Sequence, residues 1–227
     1  MKRLDQKLAR IRAGKYKPAD FIIADAKDGD MGPSLTSSGP HRAKDGSWTR
    51  HRTRAEFLDQ IRAIVKQDVL DVMLLSASNL ELLNEGKLFQ KSADEPAIRA
   101  NDTTCIWRMR GATYHNTASR PFRTATLTQV MYGAAKAPAG KKIKGTDLGL
   151  YSITFNNDIE ADIRSLEAFA DFRHEAAALG FRYFLEVFNP NVDTGIDAKT
   201  LPHYINDAIL RCLAGVTKAE RPQFLKI

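Results

Sequence analysis

Short apolar runs alternate with helix-like segments along most of this 227-residue chain. A run of four to eight apolar residues is typical of a buried strand, and apolar residues three and four apart are typical of a helix with one buried face. Strands that alternate with helices form parallel sheets with right-handed crossovers. The predicted strands are residues 21–25, 71–75, 103–110, 149–155, 181–188 and 223–227. The main predicted helices are residues 4–13, 54–66, 158–179 and 201–216, and a further helix is expected to begin with Ser78 or Asn79 as its N-cap.

Two folds that contain a parallel sheet are consistent with this pattern. A doubly wound nucleotide-binding sheet usually carries G-x-G-x-x-G after its first strand, and the segment KDGDMG (27–32) does not match it. In a β/α barrel the functional residues lie at the carboxyl ends of several different strands. Asp28, Glu186 and Lys226 each follow an apolar stretch near such an end. The sequence therefore predicts an α/β fold, a TIM-type β/α barrel, as one domain over residues 1–227.

The number of predicted strands is smaller than a complete barrel needs. An eight-stranded barrel usually takes about 250 residues, and only six strands are predicted here. We expect strands seven and eight to be missing, either because the chain is a fragment of a longer protein or because a partner completes the barrel. The first and sixth strands would then each present an unpaired edge, which favours marginal stability or association, including a homo-oligomer.

Charge and composition narrow the expected partners and location. The net charge of +7 suits an anionic partner. Phosphorylated small molecules fit better than nucleic acid, because the sequence has no helix-turn-helix spacing, RNP-like strand or Cys/His finger. No apolar run approaches the roughly 18 residues of a membrane span, and the basic N-terminus has no apolar secretory core. The two cysteines, Cys105 and Cys212, are expected to be reduced thiols in a cytoplasmic protein.

Three segments together carry a resemblance to a known family. They are FIIADAKDGDMG (21–32), GFRYFLEVFNP (180–190) and QFLKI (223–227). Their order resembles strands one, five and six of the class I (Schiff-base) aldolase superfamily. The greatest similarity is to the group of tagatose-bisphosphate, archaeal-type fructose-bisphosphate and deoxyribose-phosphate aldolases. The resemblance runs from about residue 15 onward. It implies a lyase without metal or cofactor that breaks or forms a carbon–carbon bond in a phosphorylated sugar or related keto compound.

The resemblance also implies a role for each strand-end residue. Lys226 would form the imine with the substrate carbonyl, and Glu186 would act as general acid and base. An amine attacks a carbonyl only when unprotonated, and burial at a strand end favours that form. Asp28 would orient the substrate or the lysine, with Asp25 as the alternative register. Each residue also has a simpler interpretation: a solvent-exposed lysine, an ion-paired strand-end glutamate, and an aspartate that shapes a turn.

The loop after the third predicted strand supplies candidate phosphate ligands. Arg108 and Arg110 are assigned to substrate binding because guanidinium groups match phosphate oxygens, although a solvated basic loop is the alternative.

Phe155 occupies the position where the archaeal fructose-bisphosphate branch has a catalytic tyrosine, which favours the glutamate-based branch. The histidines show no metal-ligand spacing, so no metal is assigned. Two other functions remain open: a catalytically idle barrel that binds a sugar phosphate and regulates a partner, and a nucleic-acid binder.

Overall fold

Six strands form one parallel sheet in the computed structural model, which describes residues 1–140 and 142–227. Along the chain the strands are β1 (Ala24–Lys27), β2 (Pro40–Arg42), β3 (Trp48–His51), β4 (Val72–Leu75), β5 (Glu95–Arg99), β6 (Asp102–Thr103), β7 (Pro121–Phe122), β8 (Leu148–Thr154), β9 (Arg182–Phe188) and β10 (Leu225–Lys226). The α-helices are α1 (Arg3–Arg12), α2 (Arg54–Val65), α3 (Ala77–Glu85), α4 (Leu127–Tyr132), α5 (Ile159–Leu179) and α6 (Leu201–Leu213).

The sheet has the order β1–β4–β5–β8–β9–β10, and each neighbouring pair is parallel. It is curled into half of a barrel. The parallel α/β sheet predicted from the sequence is therefore confirmed. In the part of the chain that the structure describes, β1 and β10 form the two edges and the sheet does not close into a full barrel. The short pairs β2–β3 and β6–β7 are antiparallel and lie outside this sheet.

The third predicted strand is wrong. Of residues 103–110 only Thr103 lies in a strand, the two-residue β6, and residues 104–110 form turns and loop; the third strand of the sheet is β5. Its sequence, EPAIR, was not recognised as a strand because Glu95, Pro96 and Arg99 interrupt the apolar pattern. The apolar residues of the predicted segment instead pack locally, with the Trp107 ring stacked on Tyr114 and tilted against Phe122.

Side-chain alternation divides the sheet into two faces. One face carries Met73, Leu75, Ile98 and Tyr151 and packs against helices α2 to α6, so we call it the helix face. The other, the inner face, has an apolar cluster that includes Leu4 and Leu8 of α1 and these strand residues: Val72, Leu74, Ala97, Leu148, Leu150 and Phe184. Successive strand residues point to opposite faces, so register decides which polar side chains meet on the inner face.

Helix ends follow local sequence signals. The Asp158 side chain accepts a hydrogen bond of 2.9 Å from the Ala161 amide at the start of α5, as its N-cap position predicts. Gly180 ends α5 with φ of 69°, the left-handed conformation that glycine commonly adopts just after a helix. The predicted start of α3 is wrong by two or three residues, because its N-cap is Ser76. In the described ranges, no helix combines the length and the apolar character that crossing a membrane requires.

Candidate functional site

The registers of three neighbouring strands place a serine, a glutamate and a lysine side by side. Glu186 of β9 is aligned with Ser152 of β8 and with Lys226 of β10. Because aligned residues of parallel strands share a face, all three side chains lie on the inner face, near the carboxyl ends of their strands. Asp28 directly follows β1, two residues beyond Ala26, which is aligned with Leu74 of the same face.

Glu186 is the best-held member of this group. Its side chain is only 7% exposed, and its Oε2 accepts a hydrogen bond of 2.8 Å from Ser152 Oγ. Its Oε1 accepts a hydrogen bond from Lys226 Nζ, which also forms an ion pair with it. A carboxylate inside a sheet needs such partners to offset its lost hydration. Its two oxygens therefore have different environments.

Lys226 differs from the sequence-based expectation in one respect. The strand that carries it is not buried: Leu225 and Lys226 are both exposed, and the Lys226 side chain is 52% exposed. The pairing of β10 with β9 extends over only two residues at an edge of the sheet. The contact with Glu186, rather than burial, fixes where the Lys226 amine lies.

Arg99 connects these residues to Asp28 across the inner face. It donates from Nε to Asp28 Oδ2 at 2.5 Å and from Nη1 to Ser152 Oγ at 3.0 Å. Its Nη2 lies 3.8 Å from Glu186 Oε2. We call Asp28, Arg99, Ser152, Glu186 and Lys226 the Arg99 network. Burial opposes the charge of Arg99, but the carboxylates of Asp28, Asp102 and Glu186 outweigh it and raise the pKa of Arg99, which keeps the guanidinium protonated.

Polar groups beyond β5 support the network from one side. The Asn101 side chain donates to the Ser152 carbonyl at 2.8 Å and accepts from the Ser152 amide at 2.7 Å. This pair of bonds fixes the backbone of Ser152. Asp102 is also buried, and burial raises its pKa to about 6, although the Thr103 amide and Arg99 act in the opposite direction. Asp102 is thus a third carboxyl group close to Arg99, besides those of Asp28 and Glu186.

A separate acidic residue lies beyond the end of β1. Asp30 Oδ2 accepts hydrogen bonds of 2.6 Å from Ser76 Oγ and 3.1 Å from Asn79 Nδ2, both near the start of α3. Burial raises the pKa of Asp30, and the hydrogen bond from Ser76 partly opposes that effect. Asp30 therefore ties the turn after β1 to the carboxyl end of β4.

The remaining predicted site residues lie elsewhere. Asp25 is aligned with Met73 of the helix face and forms a 2.6 Å ion pair with Lys27, so the structure does not bring it to the network. Arg108 and Arg110 are exposed in the loop between β6 and β7. The Arg108 amide donates to the Gly32 carbonyl at 3.2 Å, which places this loop against the turn that follows Asp28. Of the catalytic predictions, Asp28, Glu186 and Lys226 are brought together.

Sequence reasoning missed Arg99 and Ser152. Arg99 belongs to the strand that was not recognised, so its position at a strand end was not visible. Ser152 was inside a recognised strand, and a hydroxyl in the otherwise apolar run GLYSITF (149–155) was an available signal. A buried hydroxyl needs a hydrogen-bonding partner, and the partner of the Ser152 hydroxyl is Glu186 of β9.

Two surface cavities lie apart from the network. One of about 1050 Å³ extends along α3, α4 and residues 142–147. The other, of about 630 Å³, is lined by residues that include Trp107, Tyr114, Arg120 and Arg164. Neither is lined by a member of the Arg99 network. Among the described residues, no group of three or more His, Cys, Asp or Glu side chains is arranged to hold a metal ion.

Comparison with known proteins finds a distant structural neighbour. No protein-family model matches the sequence, and no curated protein matches it. Among solved structures, the chain is similar to the crystal structure of Cgl0159 from Corynebacterium glutamicum, with 18% sequence identity and a TM-score of 0.48. That match covers 82% of this chain and 60% of the other, so this chain spans about 60% of the length of the structure it matches.

Proposed function

We propose that this protein is a class I aldolase-type lyase that acts on a phosphorylated sugar or related keto compound through an imine on Lys226. The observation that carries the proposal is the contact between Lys226 Nζ and Glu186 Oε1 at the carboxyl ends of adjacent parallel strands. An imine-forming lysine needs a neighbouring group that can take its proton and later return one. Glu186 meets this requirement, because Ser152 holds its other oxygen.

The first half of the proposed reaction forms the imine. Lys226 passes a proton to Glu186 Oε1, and the neutral amine attacks the substrate carbonyl carbon to give a carbinolamine. Glu186 then returns a proton to the carbinolamine hydroxyl, which leaves as water. The product is a protonated imine on Nζ with Glu186 ionised again, so protons and charges balance.

The second half breaks the carbon–carbon bond. Glu186 takes the proton from the hydroxyl on the β-carbon of the substrate, and the electrons of the bond between the α- and β-carbons move into the protonated imine to form an enamine. An aldehyde leaves, a proton returns to the enamine carbon, and water hydrolyses the resulting imine to release the keto product. Asp28 is not the base in this scheme, since it is ion-paired with Arg99. It supports the network through that arginine.

The proposed substrate class follows from charge. The protein has a net charge of +7, and the exposed Arg108 and Arg110 belong to a loop that contacts the turn after Asp28. Guanidinium groups bind phosphate oxygens well, so this loop is the proposed contact for an anionic group of the substrate.

Imine trapping tests the proposal. The protein is incubated with a panel of ketose phosphates and borohydride, which reduces an imine to a stable amine, and the adduct is located by peptide mass mapping. We expect one adduct per chain on Lys226. Lys226→Ala and Lys226→Arg should both abolish adduct and turnover, because arginine stays protonated and cannot act as the nucleophile. The matched control is Lys44→Ala, at an exposed lysine of the β2–β3 hairpin, which should react like the unaltered protein. An adduct on another lysine, or turnover in Lys226→Ala, would contradict the mechanism.

The exposure of Lys226 favours a second candidate function, a sugar-phosphate-binding protein without catalysis. A half-exposed lysine in an ion pair can bind an anionic ligand without reacting with it. Calorimetric titration with the same panel separates the two functions. Binding without any borohydride adduct or turnover supports the idle binding protein, whereas an adduct on Lys226 supports the lyase.

A further inference from the structure

We propose that Arg99 is a positioning residue that, together with Ser152, holds Glu186 Oε2 so that Oε1 is the oxygen that exchanges a proton with Lys226. For its catalytic consequence, this inference rests on the proposed lyase function. The geometry on which it is built does not, since the contacts exist in the protein without substrate. Arg99 makes its contacts with Asp28, Ser152 and Glu186, so it acts on Lys226 through Glu186 and through the charge that it places beside Glu186.

The first argument is the direction of the Arg99 contacts. From β5 the guanidinium reaches Asp28 after β1 with Nε, Ser152 of β8 with Nη1, and approaches Glu186 of β9 with Nη2 at 3.8 Å. A guanidinium is a rigid fork that can satisfy several acceptors in fixed directions, and an ammonium group lacks this geometry. With an 8% exposed side chain, Arg99 has little freedom to turn away from these acceptors. It therefore fixes Glu186 relative to three other strands.

The second argument is the difference between the two Glu186 oxygens. Oε2 accepts from Ser152 Oγ and faces Arg99, whereas Oε1 accepts from Lys226. Ser152 Oγ also accepts from Arg99, so its proton is directed toward Glu186. The donor to Oε1 is the reacting amine itself, whereas the donors near Oε2 are a hydroxyl and a guanidinium that keep their protons. Proton exchange with Lys226 therefore takes place at Oε1.

The third argument is charge balance. The charged groups that face Glu186 are Lys226 from β10 and Arg99 from β5, with Asp28 and Asp102 on the other side of Arg99. Without Arg99, the nearby carboxylates would have Lys226 as their cation. These carboxylates would then hold the amine more strongly. Arg99 therefore leaves the Lys226 amine more available to react.

The test measures the reactivity of Lys226 without substrate. The unaltered protein and Arg99→Met are labelled with acetic anhydride over a range of pH, and labelling of Lys226 and Lys44 is quantified in one digest. We expect labelling of Lys226 to fall about tenfold in Arg99→Met, because the amine is then held more strongly by the neighbouring carboxylates. Lys44 should not change, which controls for reagent and pH. An unchanged Lys226 profile in folded Arg99→Met would overturn the inference.

Conservative variants separate charge from geometry. Arg99→Lys keeps the charge but loses the fork, so it should retain most of the Lys226 labelling while turnover falls at least about tenfold. Ser152→Ala keeps every charge and should lower turnover in the same way. Adding guanidinium ion to Arg99→Ala should restore part of the lost turnover, whereas sodium chloride at equal ionic strength should not. Full activity in Arg99→Lys would overturn the positioning role.

A fold-safe variant completes the design, because removing Arg99 alone leaves buried carboxylates without their cation. Arg99→Met combined with Asp28→Asn removes both members of that ion pair. It should show a smaller loss of Lys226 labelling than Arg99→Met alone. A gain in Lys226 labelling would overturn the inference. If no keto compound gives an adduct on Lys226, the lyase proposal fails, while the labelling profile still reports whether Arg99 controls the charge at Lys226.

Discussion

At the scale of single residues, the two carboxylate oxygens of Glu186 have different roles. Its Oε2 is held by Ser152, and its Oε1 contacts the amine that we propose as nucleophile. Such a carboxylate can both accept and return a proton without leaving its position. A glutamine of nearly the same shape would preserve the packing but could not perform the transfer.

Glu186→Gln should therefore slow turnover far more than it weakens substrate binding. General acid–base catalysis typically contributes about 10²–10⁴-fold, so we expect kcat to fall within that range with KM changed only a few-fold. Steady-state kinetics and the rate of borohydride trapping measure the effect. The control is Glu160→Gln, an exposed position near the start of α5, which should leave both constants unchanged. Equal losses in kcat and substrate affinity would point to a binding role for Glu186 instead.

A second prediction at this scale concerns Asp102 and pH. Burial raises the pKa of Asp102 from 3.8 to about 6. Because the folded protein holds this proton more tightly than the unfolded chain, the stability linked to Asp102 is present below about pH 4. It is lost as the pH rises through about 6. Asp102→Asn, which cannot ionise, should therefore be more stable than the unaltered protein above about pH 7, by roughly 1–3 kcal/mol, and equal to it near pH 4.

Urea denaturation at the two pH values measures this difference. The matched control is Asp171→Asn on the exposed surface of α5, which should change the free energy of unfolding by less than about 0.5 kcal/mol at either pH. A stability gain in Asp102→Asn that is the same at both pH values would show that ionisation of Asp102 is not its cause.

At the scale of secondary-structure elements, strong local signals were readable and interrupted ones were not. The strands β4, β8 and β9 are mainly apolar runs, and their predicted positions differ from the structure by one residue at most. In β5 the charged ends Glu95 and Arg99 and the imino acid Pro96 broke the pattern, and the prediction moved to residues 103–110. The polar residues that hid this strand are tied to the inner face: Glu95 pairs with Arg182, and Arg99 joins the network.

In the candidate site too, residues with a strong local sequence signal were predicted and the others were missed. Asp28, Glu186 and Lys226 were identified because each follows or ends an apolar run, and they meet because parallel strands bring their carboxyl ends to one edge. Arg99 links Asp28 to Glu186. It lies 71 residues from Asp28 in the sequence, and no local pattern predicts a contact over that separation. Asp25 and Asp28 could not be distinguished from the sequence, since the face of a strand residue depends on register.

A prediction for α5 concerns the glycine that ends it. Gly180 has φ of +69° with nothing within 4 Å of an added Cβ, so an alanine there meets backbone strain alone. Gly180→Ala should lower the free energy of unfolding by about 1–2 kcal/mol. Gly215 also has open space around it but is not in the left-handed region, so Gly215→Ala is the matched control and should be neutral or slightly stabilising. Denaturation curves that show equal losses would contradict this explanation.

At the scale of the whole molecule, stability should be distributed unevenly across the sheet. Strands β8 and β9 pair over seven residues and are almost entirely buried, whereas β10 pairs over two exposed residues at an edge. Native-state hydrogen exchange should show amides of residues 223–226 exchanging roughly 100-fold faster, or more, than those in the middle of β8. A β10 that exchanges as slowly as β8 would show that this edge opens only when the whole domain unfolds.

The long sequence separations inside the Arg99 network have a consequence for folding. Its hydrogen bonds join residues 71, 53, 34 and 40 positions apart. Contacts of such high contact order form slowly, after the intervening loops have closed, and a peptide containing one or two of these strands cannot assemble them. A ligand of this site would consequently bind only the folded chain and raise its melting temperature by mass action. The complete network is thus present only in a folded chain in which β10 is paired with β9.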